Sequence, residues 1–236
     1  MNKLTDQKII TSWEKNVLPW VKAIRENEIE SRRLVTNTAI VKAVTASKPK
    51  TVLDVGCGEG WLARSLSASG IDVLGLDVIS DFIIYAQRQG GGRFCQMAYE
   101  QISTNNITEQ FDVVVCNFSL LGHASVNHLF QHVPSLLNDQ GRFIVQTIHP
   151  IVGCGEQPYQ DGWRAGSWAG FDGEFVDPAP WYFRTLESWQ SLFIQSGFER
   201  PEIVEPLHPS TQQPASVIFI ASRIKCGTSN ESTSPT

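Results

Sequence analysis

Two acids and three glycines carry the clearest chemistry in this 236-residue chain. Asp54 stands near the end of the β-branched and aliphatic run Thr51–Val55, and Gly56, Gly58 and Gly60 follow in a G-x-G-x-G turn. Glycine is needed where a side chain would block a close approach or where φ is positive. A strand, a glycine turn and a helix together bring backbone N–H groups up to a ligand. Asp77 stands near the end of the next apolar run, 73–78, and lies 21 residues after Gly56 (77 − 56). An acid at the tip of a second strand, about 20 residues on, is placed to hydrogen-bond a ribose diol. The two motifs therefore point to a nucleoside-bearing ligand. His123 and His149 follow later strand ends, where either could deprotonate or orient a hydroxyl.

The elements that must hold these groups alternate in type. Hydrophobic periodicity predicts strand 51–55, helix 60–69, strand 72–77, helix 80–89, strands 93–97 and 111–117, helix 125–137 and strand 141–148. A helix over 185–196 begins at Thr185, a good N-cap, and stops at Gly197, with strands about 200–205 and 216–224 after it. Alternating strands and helices argue for a parallel, doubly wound sheet. Ahead of it, residues 6–46 read as two helices, with Pro19 as a kink or break in the first. The second, from about 31 to 46, has Leu34, Ile40, Val41 and Val44 as its apolar face. Its stripe Arg33, Asn37, Ile40, Val44 places a charge on an inward-leaning row, where it needs a partner.

In its motifs the chain resembles the class I S-adenosylmethionine (SAM)-dependent methyltransferases. LDVGCGEG is similar to their first motif and GLDV to their second. FDVVVCNFSLL (111–121) is similar to their fourth-strand motif, and LLNDQGRFIVQTIHP (136–150) to their helix end, turn and fifth strand. The third glycine comes one residue earlier than in the dinucleotide fingerprint G-x-G-x-x-G, which favours SAM over NAD. The resemblance implies a Rossmann-like α/β fold: a mostly parallel doubly wound sheet with an antiparallel C-terminal edge strand and a helical N-terminal extension. It implies that Gly56 and Gly58 pack beneath SAM, with Glu59 and Gly60 bordering the turn. Asp77 would take the ribose hydroxyls and Val78 the adenine face. Met97 and Ala98 would stand at the adenine edge, read through the Ala98 backbone. Asn117 and Phe118 would turn toward the methionine end, and Arg32 or Arg33 would meet its carboxylate. NFSL at 117–120 lacks the prolines of the tetrad that methylates amino groups of DNA bases, so DNA is not the expected acceptor.

Segment 149–183 breaks the alternation. It holds six glycines, four prolines and many aromatics, with five acids (Glu156, Asp161, Asp172, Glu174, Asp177) against Arg164 alone. A loop this long in a compact domain is usually functional. Following the fifth strand, it should lie over the carboxyl ends of the strands, as a substrate lid. Trp13 from the N-terminal helices and Trp168, Trp181 and Tyr182 from the lid are the expected acceptor contacts. An acidic, aromatic pocket would suit a cationic or amine-bearing acceptor. An O-methyl transfer with His149, or His123, as base is the other expectation.

Composition bounds the rest. Net charge is −5, which leaves no general nucleic-acid footprint. Residues 1–48 carry nine Lys/Arg against five Asp/Glu, a balance of +4, while the remainder carries ten against nineteen, or −9. RNA methylation through this basic arm is therefore an alternative, and a non-catalytic SAM-binding regulator is another. No apolar run approaches the ~18–20 residues needed to span a bilayer. The N-terminus shows no apolar leader, so a cytoplasmic protein without a membrane partner is expected. The five cysteines, and the pair His128 and His132, form no metal-binding spacing, and no metal is expected. The expected organisation is a helical cap over 1–48, a SAM-binding domain over 49–226 with the lid at about 149–183, and a polar, disordered tail over 227–236. The oligomeric state is not written in the sequence.

Overall fold

A computed structural model describes residues 4–171 and 173–224. The tail expected over 227–236, together with Asp172, lies outside the described residues. Seven strands form one sheet: β1 (Thr51–Val55), β2 (Asp72–Asp77), β3 (Arg93–Gln96), β4 (Phe111–Asn117), β5 (Leu137–Thr147), β8 (Glu202–Val204) and β9 (Val217–Ser222). Their order is β3-β2-β1-β4-β5-β9-β8. The first five run parallel, β9 is antiparallel to β5, and β8 pairs antiparallel with β9 at the edge. The order reverses at β1, with β2 and β3 to one side of it and β4 and β5 to the other. The carboxyl ends there open the crevice in which doubly wound sheets bind ligands.

Both faces of the sheet are covered, which is why the central strands read as continuous apolar runs. On one face α6 (Ala124–Leu136) and α8 (Leu186–Gln195) pack Phe130, Trp189 and Phe193 against Phe143 and Phe219. On the other, α3 (Asn37–Thr45) and α4 (Trp61–Ser67) bury Ile40, Val44, Leu62 and Leu66 against Val52, Val113 and Ile144. Helix α5 (Ser80–Gln89) packs along β2 and β3. The Thr185 hydroxyl accepts from the Ser188 N–H at 3.1 Å, the expected N-cap of α8. Among the described residues no helix is long and apolar enough to cross a membrane.

The N-terminal region departs from expectation in two places. The break in the first helix falls at Asn16, between α1 (Asp6–Lys15) and α2 (Val17–Arg25). Pro19 sits in the first turn of α2, where its missing N–H costs nothing. Ahead of α3 the chain makes a π turn over Arg32–Thr36. A π turn inserts one extra residue, so every position before it is out of phase with the helix that follows. Counting back from Ile40, the inward row reaches Arg32 in place of Arg33, and Leu34 is left 39% exposed.

The segment 149–183 has structure of its own. It begins with a short helix, α7 (Pro150–Gly153), and β6 (Gly162–Arg164) pairs antiparallel with β7 (Trp181–Phe183). Arg164 is buried and donates to the carbonyls of Pro158 and Gln160 at 2.7 and 3.1 Å. The Asp161 carboxylate takes the Thr185 N–H and the Ser188 hydroxyl, which ties the segment to the start of α8.

Candidate functional site

At the carboxyl ends of β1, β2 and β4 a cavity of about 420 Å³ reaches from the glycine turn to the underside of α1, α2 and the 149–183 segment. Gly56, Gly58, Glu59, Asp77, Val78, Ala98, Asn117, Phe118 and Arg32 line one part of it. Trp13, Trp168, Trp181 and Tyr182 line the other. Thirteen of the eighteen residues singled out from the sequence are thus brought together; Gly60, Met97, Arg33, His123 and His149 are not.

The turn explains its own glycines. Gly56, Gly58 and Gly60 all have positive φ, at 76°, 55° and 85°. A Cβ on Gly56 would stand 2.3 Å from Ser119 Cβ, whereas a Cβ on Gly58 would meet nothing within 4 Å. Gly58 therefore presents bare backbone to open space, as a close-approaching ligand requires. Gly60 serves packing instead: its Cβ would lie 3.0 Å from Ala86 Cβ and Phe94. It lets α4 leave the turn tightly against α5 and β3 and does not reach the cavity.

Asp77 holds the turn in shape. Its Oδ2 accepts from the Gly58 N–H and its Oδ1 from the Ile79 N–H, both at 2.9 Å. Burial raises its pKa to about 6, with the N–H bonds of Ile79 and Gly58 opposing. Asp54, one strand over, is fully enclosed, and its Oδ2 has no partner. Burial, and then the charge of Asp77, raise it to about 7. Nearby, the Tyr99 hydroxyl donates to the Ser119 carbonyl at 3.0 Å and the Ser119 hydroxyl to the Val55 carbonyl at 2.7 Å. Phe118 turns sharply off β4 with φ at 54° and donates its N–H to the Gln146 carbonyl at 2.8 Å.

Three buried polar atoms lack partners beside the turn: Arg32 Nη2, Glu59 Oε1 and Asn117 Oδ1. Arg32 lies over the rings of Trp61 and Trp20, at 4.8 and 5.8 Å, and donates through Nε to Asn37 Oδ1 at 3.2 Å. Burial lowers its pKa to about 10, with Glu59 opposing. The other oxygen of Glu59 is paired with Arg64 at 2.5 Å. One free cationic donor and two free acceptors are what an amino-acid zwitterion needs. With the open space over Gly58 and the Asp77 carboxylate, they fit the methionine and ribose portions of SAM.

Six expectations meet a different arrangement in the structure. Arg33 is exposed outside the cavity, because the π turn gives the inward position to Arg32. Met97 donates its N–H to the Asp77 carbonyl at 2.9 Å and packs its side chain on the core. Backbone reading at Ala98 is shared with Gln101, whose N–H donates to the Ala98 carbonyl at 3.0 Å and whose Oε1 accepts the Ala98 N–H at 2.8 Å. His149 is buried and turned away. Pro150 starts α7, so His149 becomes its N-cap, with Nδ1 accepting from the Ile151 N–H and Nε2 facing Glu205 Oε1 at 2.7 Å. His123 is exposed and lies beside Tyr182, with ring centroids 4.2 Å apart, outside the cavity lining. The lid carboxylates also face elsewhere: Asp161 toward α8 and Asp177 toward Lys15, with Glu156 and Glu174 off the cavity wall.

Sequence reasoning passed over several lining residues. Asp6 holds the start of α6 by accepting from the His123 and Ser125 N–H groups at 3.0 and 2.7 Å. Burial pushes its pKa up, but these bonds outweigh it and the net shift is downward. Arg184 donates to the Gly122 carbonyl and lies over Tyr182 and Trp189. Trp61, directly after Gly60, was the most legible omission. Trp20 and Asp6 depend on how the N-terminal helices fold back.

Comparison with known proteins agrees with this geometry. A family model for a methyltransferase domain matches residues 29–202. A ubiquinone biosynthesis O-methyltransferase of Glaesserella parasuis serovar 5 is 30% identical over 109 residues, 42% of this chain and 46% of that protein. The uncharacterized methyltransferase C70.08c of Schizosaccharomyces pombe is 26% identical over 170 residues, 67% of this chain and 63% of that protein. The chain spans less than half the length of the first curated relatives it matches. Among solved structures, magnesium protoporphyrin IX methyltransferase of Synechocystis PCC 6803, with bound S-adenosylhomocysteine (SAH), superposes with a TM-score of 0.63 at 16% identity. That match covers 93% of this chain and 100% of the other. The glycopeptide N-methyltransferase MtfA complexed with SAM gives 0.61 at 14% identity, covering 80% of this chain and 87% of the other. With about three quarters of its length (174 of 236 residues) matched, the chain belongs to the methyltransferase-domain family.

Proposed function

We propose that this chain transfers the methyl group of SAM to a nitrogen or oxygen of a small acceptor with a ring-bearing, largely apolar body. One observation carries the reading: a single cavity joins Gly58 and Asp77 to a chamber walled by Trp13, Trp168, Trp181 and Tyr182. When bound, SAM supplies an electrophilic methyl on a sulfonium whose displacement leaves a neutral thioether. The chain's own work is binding, orientation and exclusion of water. Arg32, Glu59, Asn117 and Asp77 hold the cofactor end, and the bare backbone at Gly58 permits the close fit. The aromatic walls keep the other end dry and give a flat acceptor faces to stack on, worth about 0.5–1.5 kcal/mol per ring pair beyond burial.

With His149 and His123 outside the chamber, the proton is handled without a histidine base. A neutral amine, or an oxygen that ionises in solution before binding, fits that arrangement. The lid carboxylates give a cationic acceptor little support, since those described are engaged elsewhere or off the wall. Lys15 pairs with Asp177, and Lys22 lies within 4 Å of Glu26 and Glu28, so part of the basic excess of the N-terminal arm is already paired. The test is turnover: SAM is supplied with a panel of ring amines and phenols, and SAH is followed by mass spectrometry. Acceptor-dependent SAH is expected. Transfer to RNA alone, or SAM binding with no transfer to any compound, would favour the RNA enzyme or the regulator.

A further inference from the structure

We propose that Asn16 is a positioning residue for the acceptor chamber, acting through the main chain of Val176 to set Trp168 against Trp13. The inference rests on the reading that this chamber receives the acceptor. Asn16 fills the break between α1 and α2 and is fully buried. Its Nδ2 donates to the Val176 carbonyl and the Ser12 carbonyl, both at 2.7 Å, and its Oδ1 accepts from the Val176 N–H at 2.8 Å. One side-chain amide thus holds both backbone groups of one residue 160 positions away, as a neighbouring strand would.

The same Val176 carbonyl accepts from Trp168 Nε1 at 3.0 Å. Trp168 meets Trp13 edge-on with centroids 5.5 Å apart, and both rings line the cavity. Asn16, Val176 and Trp168 therefore form a chain of contacts that ends on the chamber wall. Two neighbouring contacts reach Asp177: the Ser12 hydroxyl donates to its carbonyl at 2.5 Å, and Lys15 meets its carboxylate at 2.5 Å. The Lys15–Asp177 pair is about half exposed or more, so it contributes little. The buried amide is the joint that matters. Alanine at 16 strands the Val176 N–H and leaves the carbonyl only the Trp168 N–H; aspartate keeps an acceptor for the N–H but turns a charge on the carbonyl.

The experiment uses the full chain saturated with SAH, with 2-naphthol as the ring probe. SAH affinity is read by calorimetry, naphthol affinity by fluorescence, and segment opening by chymotryptic cleavage after residues 168–175. Asn16→Ala and Asn16→Asp should each weaken naphthol about ten-fold and speed cleavage by a similar factor, with SAH affinity within about three-fold of wild type. Trp168→Phe keeps a ring and removes the N–H. It should weaken naphthol in the wild-type background and add nothing to Asn16→Ala, as residues in one chain of contacts are non-additive. If Asn16→Ala does not fold, Trp168→Phe alone should still speed cleavage while Asn16 stays in place. Additive losses, unchanged naphthol binding in Asn16→Ala, or equal losses for SAH and naphthol would each overturn the proposal. A wild-type protein that binds neither SAH nor naphthol would instead overturn the functional reading, and the cleavage arm would still decide whether Asn16 holds the segment.

Discussion

Cofactor affinity should rise with pH through a single ionisation, and the group responsible should be Asp77. Its two oxygens already accept from Gly58 and Ile79, each has lone-pair capacity left, and the residue lines the cavity. Ribose hydroxyls must donate to those lone pairs, which only the carboxylate offers in full. With the pKa raised to about 6, roughly one molecule in ten carries the carboxylate at pH 5, against nearly all at pH 7.5. If the protonated form binds weakly, SAH affinity should increase about ten-fold over that interval, or ~1.4 kcal/mol. Calorimetry in buffers of different ionisation enthalpy should show about half a proton released near pH 6. Asp77→Asn should remove the pH dependence and weaken binding at pH 7.5 by about 1–3 kcal/mol. A ten-fold rise that persists in Asp77→Asn would refute the reasoning, because another group would then be titrating. The stability of the ligand-free chain should move the other way. An acid whose folded pKa is raised binds its proton more tightly in the native state. Its stabilising effect is therefore lost as pH climbs from the ordinary carboxyl range through about 6 for Asp77 and about 7 for Asp54.

Thermal melts should show Asp54→Asn more stable than wild type at pH 8, by about 1–3 kcal/mol, and little different near pH 4. Gly58→Val should abolish SAH binding with the sheet's circular dichroism intact, whereas Gly56→Ala should destabilise the fold itself, because Ser119 occupies the space. Arg32→Met should weaken SAH by about 1–3 kcal/mol and Arg33→Met should leave it unchanged, a contrast that equilibrium binding reads directly. His149→Ala should lose about 1–3 kcal/mol of stability, through the unpaired Ile151 N–H and the lost Glu205 contact. Its kcat should stay within a few-fold of wild type; a hundred-fold fall would return His149 to proton transfer.

What could be read in advance was local. The glycine turn, Asp77 and the strands around them lie within 27 residues of one another (51 to 77), and short-range spacing specifies them. The aromatic wall was legible too, because tryptophans that cluster in an irregular segment need somewhere to go. The misplacements came from features without a local signature. One inserted residue in the π turn decided between Arg32 and Arg33. His149 was claimed by Glu205, 56 positions away, and by the helix that Pro150 starts. Short strands such as β6 and β7 gave too few residues for a period of two to emerge.

The covering of the cavity comes from residues 6–20 and 168–177, the two ends of a long stretch of chain. That separation orders events during synthesis. The helices over 6–25 leave the ribosome ahead of the sheet, and groups that hold them, at 123, 125 and 176, arrive far later. Trp13 and Trp20 must wait for Trp168 and Phe171 while the sheet forms beneath them. The tryptophans of these helices are therefore exposed until late, and it is this surface that a chaperone, or another copy of the unfinished chain, would meet.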